Sequence, residues 1–156
     1  MSFDITTLGA PLSLGQPNLL RAVAIRADIG PALEFQTTQG TTRAIFPITG
    51  GEALGHGWRA RILPGGADFA LALPSGDYAI EARYCLEMED GTPFMVTNTG
   101  LMVRQPDGAF HGRTRATLEI PQGHHAALGA AVYFGTAFAP ADDLDHVFIE
   151  LWEAPV

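Results

Sequence analysis

The chain has 156 residues, 47% of them hydrophobic and 17% charged, which excludes a disordered polar chain and suits one globular domain spanning 1–156. Its formal net charge is −8, with no basic stripe to offset it, so nucleic acid is not an expected partner. A single cysteine, Cys85, excludes an internal disulfide and a cysteine-based zinc centre.

Met1-Ser2-Phe3-Asp4 show no basic segment leading into an apolar run, and no stretch approaches the ~20 apolar residues of a membrane span. The expectation is a cytoplasmic protein without a membrane partner. Eighteen glycines and eleven prolines punctuate the whole length, the texture of many short elements joined by tight turns. Period-two alternation predicts strands at 20–27, 32–37, 42–48, 57–63 and 67–73, then at 78–88, 93–103, 110–119, 127–137 and 145–153. Residues 126–131 can form a helical turn, but Gly129 and the following Val132-Tyr133-Phe134 favour a strand. About ten strands in an open sheet would leave two unpaired edges, so closure is the economical arrangement. The fold expected is therefore all-β, a closed antiparallel barrel of about 8–10 strands, with a two-sheet sandwich as the alternative.

The Asp90-Gly91 pair predicts a hairpin between 78–88 and 93–103 through a primed two-residue turn. If Glu89 faces Thr92, Arg83 lies opposite Asn98, Glu81 opposite Gly100 and Cys85 opposite Val96. Glu81, Arg83 and Asn98 then share one face, and Tyr84, Leu86, Met95 and Thr97 share the other. With the Arg83 face inward, the three polar residues form a buried cluster that needs pairing or a ligand. With it outward, they form a solvated ion pair of little consequence. Gly100, small beside Glu81, leaves room for a ligand and favours the inward arrangement.

The order Gly50-Gly51, Leu63-Pro64-Gly65-Gly66-Ala67-Asp68, Ala82-Arg83-Tyr84-Cys85-Leu86, Asp90-Gly91 and Asn98-Thr99-Gly100 resembles the family known as domain of unknown function 3237, also called uncharacterised protein family 0311. Arg113-Thr114, Leu118-Glu119 and Phe148 to Glu153 look like its later segments. One departure is His125-Ala126-Ala127-Leu128-Gly129, where the family usually carries an aromatic followed by Trp-Leu-Asn. The resemblance implies a small β-barrel akin to allene-oxide-cyclase or lipocalin-like barrels, and no assigned activity.

Candidate chemistry follows from the polar residues. Asp68, after the Pro-Gly-Gly turn, is either a cap for neighbouring amides or a pocket acid. Asp68 and Glu81 are the candidate catalytic residues; Arg83, Asn98, Arg113 and Glu150 are the candidate ligand-binding residues. His111, Arg113, Arg115, Thr117 and Glu119 alternate on one strand face, as a polar exterior or a shared anion site. His146, Phe148, Glu150 and Trp152 share another, opposite Val147, Ile149 and Leu151. No metal and no other cofactor is expected: His124 and His125, on a strand, would point to opposite faces. Asp142, Asp143 and Asp145 lack the glycine and glutamate of a calcium loop, and Gly50–57 lacks the Lys-Ser/Thr of a phosphate loop. Cys85 reads as a buried inert thiol.

Three functions remain open: a metal- and nucleotide-independent enzyme of isomerase, cyclase or lyase type on a small apolar carbonyl compound; a non-catalytic binder of an apolar or carboxylate-bearing ligand; or a structural protein without a pocket. A homodimer is expected, with Val147, Ile149 and Leu151 as outward apolar residues needing cover.

Overall fold

Alternation of apolar and polar side chains carries the chain into ten strands: β1 (Leu20–Ile29), β2 (Leu33–Gln36), β3 (Thr42–Gly55), β4 (Trp58–Ile62), β5 (Gly66–Ala72), β6 (Tyr78–Met88), β7 (Pro93–Arg104), β8 (Phe110–Glu119), β9 (Val132–Ala139) and β10 (His146–Ala154). A computed structural model describes residues 17–155; the Met1-Ser2-Phe3-Asp4 start lies outside them. β1 pairs with β10 along one edge and with β3 along the other. Eight strands therefore close into one antiparallel ring, β1-β3-β5-β6-β7-β8-β9-β10, with β2 and β4 as extra strands outside it. β2 borders the start of β3, and β4 lies against the ends of β3 and β6. Closure removes the open edges and rules out a two-sheet sandwich.

The two ends of the barrel differ. At one end Leu86, Leu151, Val23, Val96 and Tyr133 are almost wholly buried and pack solid, with the Trp58 and Phe94 rings edge to face at 5.7 Å. A short helix, α1 (Ala127–Ala130), covers this end, and the Tyr133 hydroxyl donates to the Leu128 carbonyl at 2.9 Å. Toward the other end the inward positions become small, with Ala27, Ala82, Ala137 and Ala139 facing a cavity.

The β6–β7 hairpin forms, but one residue out from the expected register. Arg83 faces Thr97, and Asn98 faces Ala82. The reason is the turn. Gly91 N–H donates to the Met88 carbonyl and Met88 N–H to the Thr92 carbonyl, with Gly91 at φ +86° and no non-glycine residue at positive φ among the described residues. This is a three-residue loop with its glycine in the left-handed position, whereas the primed two-residue turn would need Asp90 there too. The slip exchanges faces within the hairpin. Arg83 and Cys85 are exposed on the outside, and Tyr84 and Asn98 are buried inside. Gly100 serves strand packing: a Cβ there would run into the Arg113 carbonyl and Thr114 of β8.

Other expectations are corrected too. Residues 127–130 are helical, and the strand begins only at Val132; the alanine-rich run outweighs Gly129 once Tyr133 caps it from below. β3 continues through Gly50-Gly51 to Gly55, because β1 and β4 pair along its second half. On β10 the inward residues are Val147, Ile149 and Leu151, and the outer face shows Phe148 beside Phe138 of β9, with Phe134 further along β9 opposite Trp152. Replacing fully buried Leu151 by alanine should lower stability by about 2–5 kcal/mol in urea unfolding, while Leu144→Ala, at 82% exposure, should cost under about 0.5 kcal/mol.

Candidate functional site

Small inward residues near the open end leave a cavity of about 380 Å³, the size of a small organic molecule's site. Its walls are mainly apolar: Ile29, Ile48, Ile80, Met102, Phe110 and Ile149 among them. An aromatic collar stands at the mouth, where Tyr78 meets Phe46 edge to face at 5.6 Å and Phe110 at 5.5 Å. The loops after β1 and β9 complete the rim with Pro31, Pro140 and Leu144. His146 also lines the mouth, held by Asp143 Oδ2 at 2.8 Å from its Nδ1.

Besides the rim groups Tyr78, Asp143 and His146, three polar side chains line the apolar wall: Asp68, Tyr84 and Asn98. Strand pairing explains their proximity. Asp68 on β5 faces Ala82 on β6, which faces Asn98 on β7. Two inter-strand steps separate the outer pair by roughly 10 Å at the backbone, with only a methyl group between them. Tyr84 projects from the same face two residues along β6. Asp68 Oδ1 accepts the Glu81 backbone N–H at 3.0 Å, which fixes the carboxyl. Burial raises its pKa to about 6 against the pull of that hydrogen bond, and the Glu81 charge adds to the rise. Asp68 is thus both the cap and the pocket acid that its sequence position allowed.

The Tyr84 hydroxyl and Asn98 Oδ1 are buried without a hydrogen-bond partner among the described residues. Each such group costs on the order of 1–3 kcal/mol unless something satisfies it. Burial drives the Tyr84 pKa well above its ordinary value, so the hydroxyl stays protonated and able to donate. A ligand oxygen beside Tyr84 would accept from its O–H, and a ligand donor beside Asn98 would satisfy Oδ1.

The remaining sequence candidates do not line the cavity. Arg83 and Glu81 form a solvated pair on the outer wall, 2.8 Å apart with 58% and 47% of their side chains exposed. Arg113 is exposed on β8, its Nη1 donating to the Gly112 carbonyl at 2.9 Å. Glu150 lies outside on β10, 3.1 Å from Arg21. Cys85 is exposed rather than buried. The one-residue slip accounts for Arg83 and Cys85; Arg113 and Glu150 follow from the parity of strands whose inward residues are Thr114, Ile149 and Leu151. Tyr84 and Tyr78 are the wall residues that the expected inward Arg83 face put out of view, and Phe46 on β3 was not singled out. The signal that would have found the two tyrosines is the loop length at Asp90-Gly91.

A closed barrel with a one-ended apolar chamber and an acid in its wall defines the class, a β-barrel protein. The chain belongs to the family described as "Protein of unknown function (DUF3237)", which it matches over residues 17–154. A UPF0311 protein of Rhodopseudomonas palustris strain TIE-1 is 38% identical over 77 residues, 49% of this chain and 50% of that protein. One from Clostridium acetobutylicum is 32% identical over 59 residues, 38% of this chain and 37% of that protein. The chain thus spans about half the length, or less, of these relatives in the matching segments. Among solved structures, a Rhodopseudomonas palustris protein of unknown function superposes with a TM-score of 0.78 at 28% identity, covering 90% of this chain and 100% of that one. A β-barrel-like protein of Acinetobacter baumannii gives 0.82 at 22% identity, covering 93% and 100%. A Penicillium herquei protein described as an enzyme gives 0.72 at 18%, covering 94% and 100%. The last two share the fold.

Asp68 makes stability depend on pH with a definite sign. Its native pKa of about 6 exceeds the ordinary 3.8, so between those values the native state holds a proton that the unfolded chain has released. Stability from this group is full below about pH 4 and is lost as pH rises through about 6, by up to ~3 kcal/mol. Asp68→Asn keeps the acceptor for the Glu81 N–H and removes the charge. The variant should be more stable than the parent by about 1–3 kcal/mol at pH 7.5 and equal to it at pH 4, measured by denaturant unfolding at each pH. Parallel curves across that range would refute the buried-acid assignment.

Proposed function

We propose that this β-barrel protein is a metal- and nucleotide-independent enzyme of the isomerase, cyclase or lyase type, acting on a small, mostly apolar carbonyl compound. The observation that carries the reading is the carboxyl with a pKa near 6 in an apolar cavity that also holds the partnerless Tyr84 hydroxyl and Asn98 carboxamide oxygen. A general base works best with a pKa near the operating pH. Ionised Asp68 takes a proton from the carbon beside the carbonyl, and the carbon–hydrogen electron pair moves onto oxygen as an enolate. The Tyr84 O–H stabilises that oxygen, a stronger donor in an apolar site than in water, while Asn98 Oδ1 accepts from a donor elsewhere on the substrate. Protonated Asp68 then returns the proton to another carbon, or the enolate expels a leaving group. Glu81 contributes the backbone N–H that orients Asp68, and Arg83 has no part.

The second reading is a non-catalytic binder, favoured by the predominantly apolar wall. Among the described residues no Arg or Lys lines the cavity, so the ligand of such a binder is neutral, and the carboxylate-bearing version loses the counter-ion that Arg83 was to supply. The cavity itself argues against a structural protein without a pocket.

The two readings separate in deuterium oxide. A panel of apolar cyclic ketones is incubated with the protein, and exchange at the carbon beside the carbonyl is followed by NMR. An enzyme should catalyse exchange with a rate that rises through pH 6, and Asp68→Asn should slow it ~10²–10⁴-fold while the ketone still binds. Ketone binding with equal exchange in parent and variant would leave the binder reading standing and remove the enzyme.

We also propose a homodimer, now through the outer face of β9 and β10. Phe134, Phe138 and Phe148 are 41–49% exposed there, and His111 stacks edge to face on Phe138 at 5.3 Å. Exposed aromatics grouped on one sheet face suit an isologous interface. Light scattering at micromolar concentration should give twice the 16.6 kDa chain mass, and Phe138→Glu should give the monomer. A parent protein that is monomeric under those conditions overturns the proposal.

A further inference from the structure

The closed end of the barrel brings together three side chains that the strand pattern kept apart. His124 and His125 lie in the turn between β8 and α1, not on a strand. Both rings therefore swing to the same side, with centroids 3.8 Å apart. Both present Nε2 to one oxygen of Asp90 in the β6–β7 turn, His125 at 3.0 Å and His124 at 3.4 Å from Oδ2. The three donor atoms all lie within 4.8 Å of one another.

We propose that Asp90, His124 and His125 form a binding site for a late first-row divalent cation, zinc, nickel or copper. Two neutral imidazoles and a carboxylate are the donor set such ions prefer. Metal–nitrogen and metal–oxygen bonds of ~2.0–2.2 Å place neighbouring tetrahedral ligand atoms about 3.3 Å apart, the spacing already present between each histidine and Asp90 Oδ2. The carboxylate is oriented from behind: Oδ1 accepts the Thr92 backbone N–H at 2.9 Å, which leaves Oδ2 for the ion. Outer-shell support of this kind is what fixes a metal ligand's direction. His125 is held with only 15% of its side chain exposed, whereas His124, at 76%, leaves an open path for entry and for a water ligand. An ion here ties the β6–β7 turn to the loop that carries α1 over the closed end. It is a clamp at the opposite end from the cavity, separate from the Asp68 chemistry.

The test uses the intact chain titrated with zinc chloride by calorimetry, with thermal unfolding alongside. One ion per chain should bind, and the melting temperature should rise with zinc concentration, since an ion that binds only the native state stabilises it. Asp90→Asn and His124→Gln should each weaken binding by at least ~10-fold and abolish the thermal shift, with the barrel still folded because both residues are exposed. His111→Gln, on the outer face of β8, should bind as the parent does. No saturable binding by the parent, or binding that survives both Asp90→Asn and His124→Gln, overturns the site. So does loss of binding on His111→Gln.

Discussion

The interior of this protein depends on β1 pairing with two neighbours at once, β10 on one side and β3 on the other. Without that double pairing the sheet would open, and a wall with inward positions as small as Ala27, Ala82 and Ala137 could not enclose a void. Closure also fixes parity. Once each strand is locked to two neighbours, no strand can slip by one residue without turning its whole apolar row to solvent. The ring therefore holds Asp68, Ala82 and Asn98 in one cross-strand row even though Asp68 and Asn98 are unfavourable there. The cost of burying a carboxyl and a partnerless amide is borne by the packed end, where Leu86 and Leu151 have no exposed surface.

That division between a stable end and a strained end gives the cavity its chemistry. Asp68 is moved toward neutrality by desolvation, the largest of its influences. A cation in the wall would hold the same carboxyl charged and acidic, so keeping Arg83 outside is what permits a base poised near neutral pH. Glu81 acts twice from the outer face, through its backbone N–H and through a like charge that adds to the rise. Its own carboxylate is occupied by Arg83 in water. The outer ion pair thus matters to the site mainly through what it keeps out of it.

Strand positions were legible in the residues because alternation and turn chemistry are local. Eight of the ten segments form within a few residues of where the pattern places them, while β3 runs on to Gly55 and β9 starts only at Val132; closure follows from their number. Asp68 was legible only as two alternatives, a cap for neighbouring amides or a pocket acid, because a carboxyl after Pro-Gly-Gly suits both. Which face of 78–88 looks inward was not legible, because it rests on a loop length that Glu89-Asp90-Gly91-Thr92 can satisfy in two ways. The three-residue loop lets Gly91 alone take positive φ, and that choice puts Phe94, Val96 and Asn98 on the Tyr84–Leu86 face, the apolar face that is buried inward and leaves Arg83 outside. His124 and His125 were misjudged for a related reason: adjacent residues diverge on a strand but converge in a turn, and the chain leaves β8 at Glu119 before reaching them.

The same logic bears on what kind of ligand the barrel admits. Charged groups are arranged outside, in pairs such as Arg21 with Glu150 and Arg61 with Glu87, or at the rim, where Asp143 holds His146. Among the described residues that line the cavity below this Asp143–His146 rim, Asp68 is the one carboxyl. An anionic ligand would meet that carboxylate with no compensating cation, a juxtaposition opposed by both desolvation and repulsion. A cationic ligand would pair with Asp68 and draw its pKa back down, leaving the Tyr84 hydroxyl still without an acceptor. A neutral molecule with an acceptor oxygen and a donor group avoids both penalties: its apolar body fills the alanine-lined space, its oxygen accepts from the Tyr84 hydroxyl, and its donor answers Asn98 Oδ1.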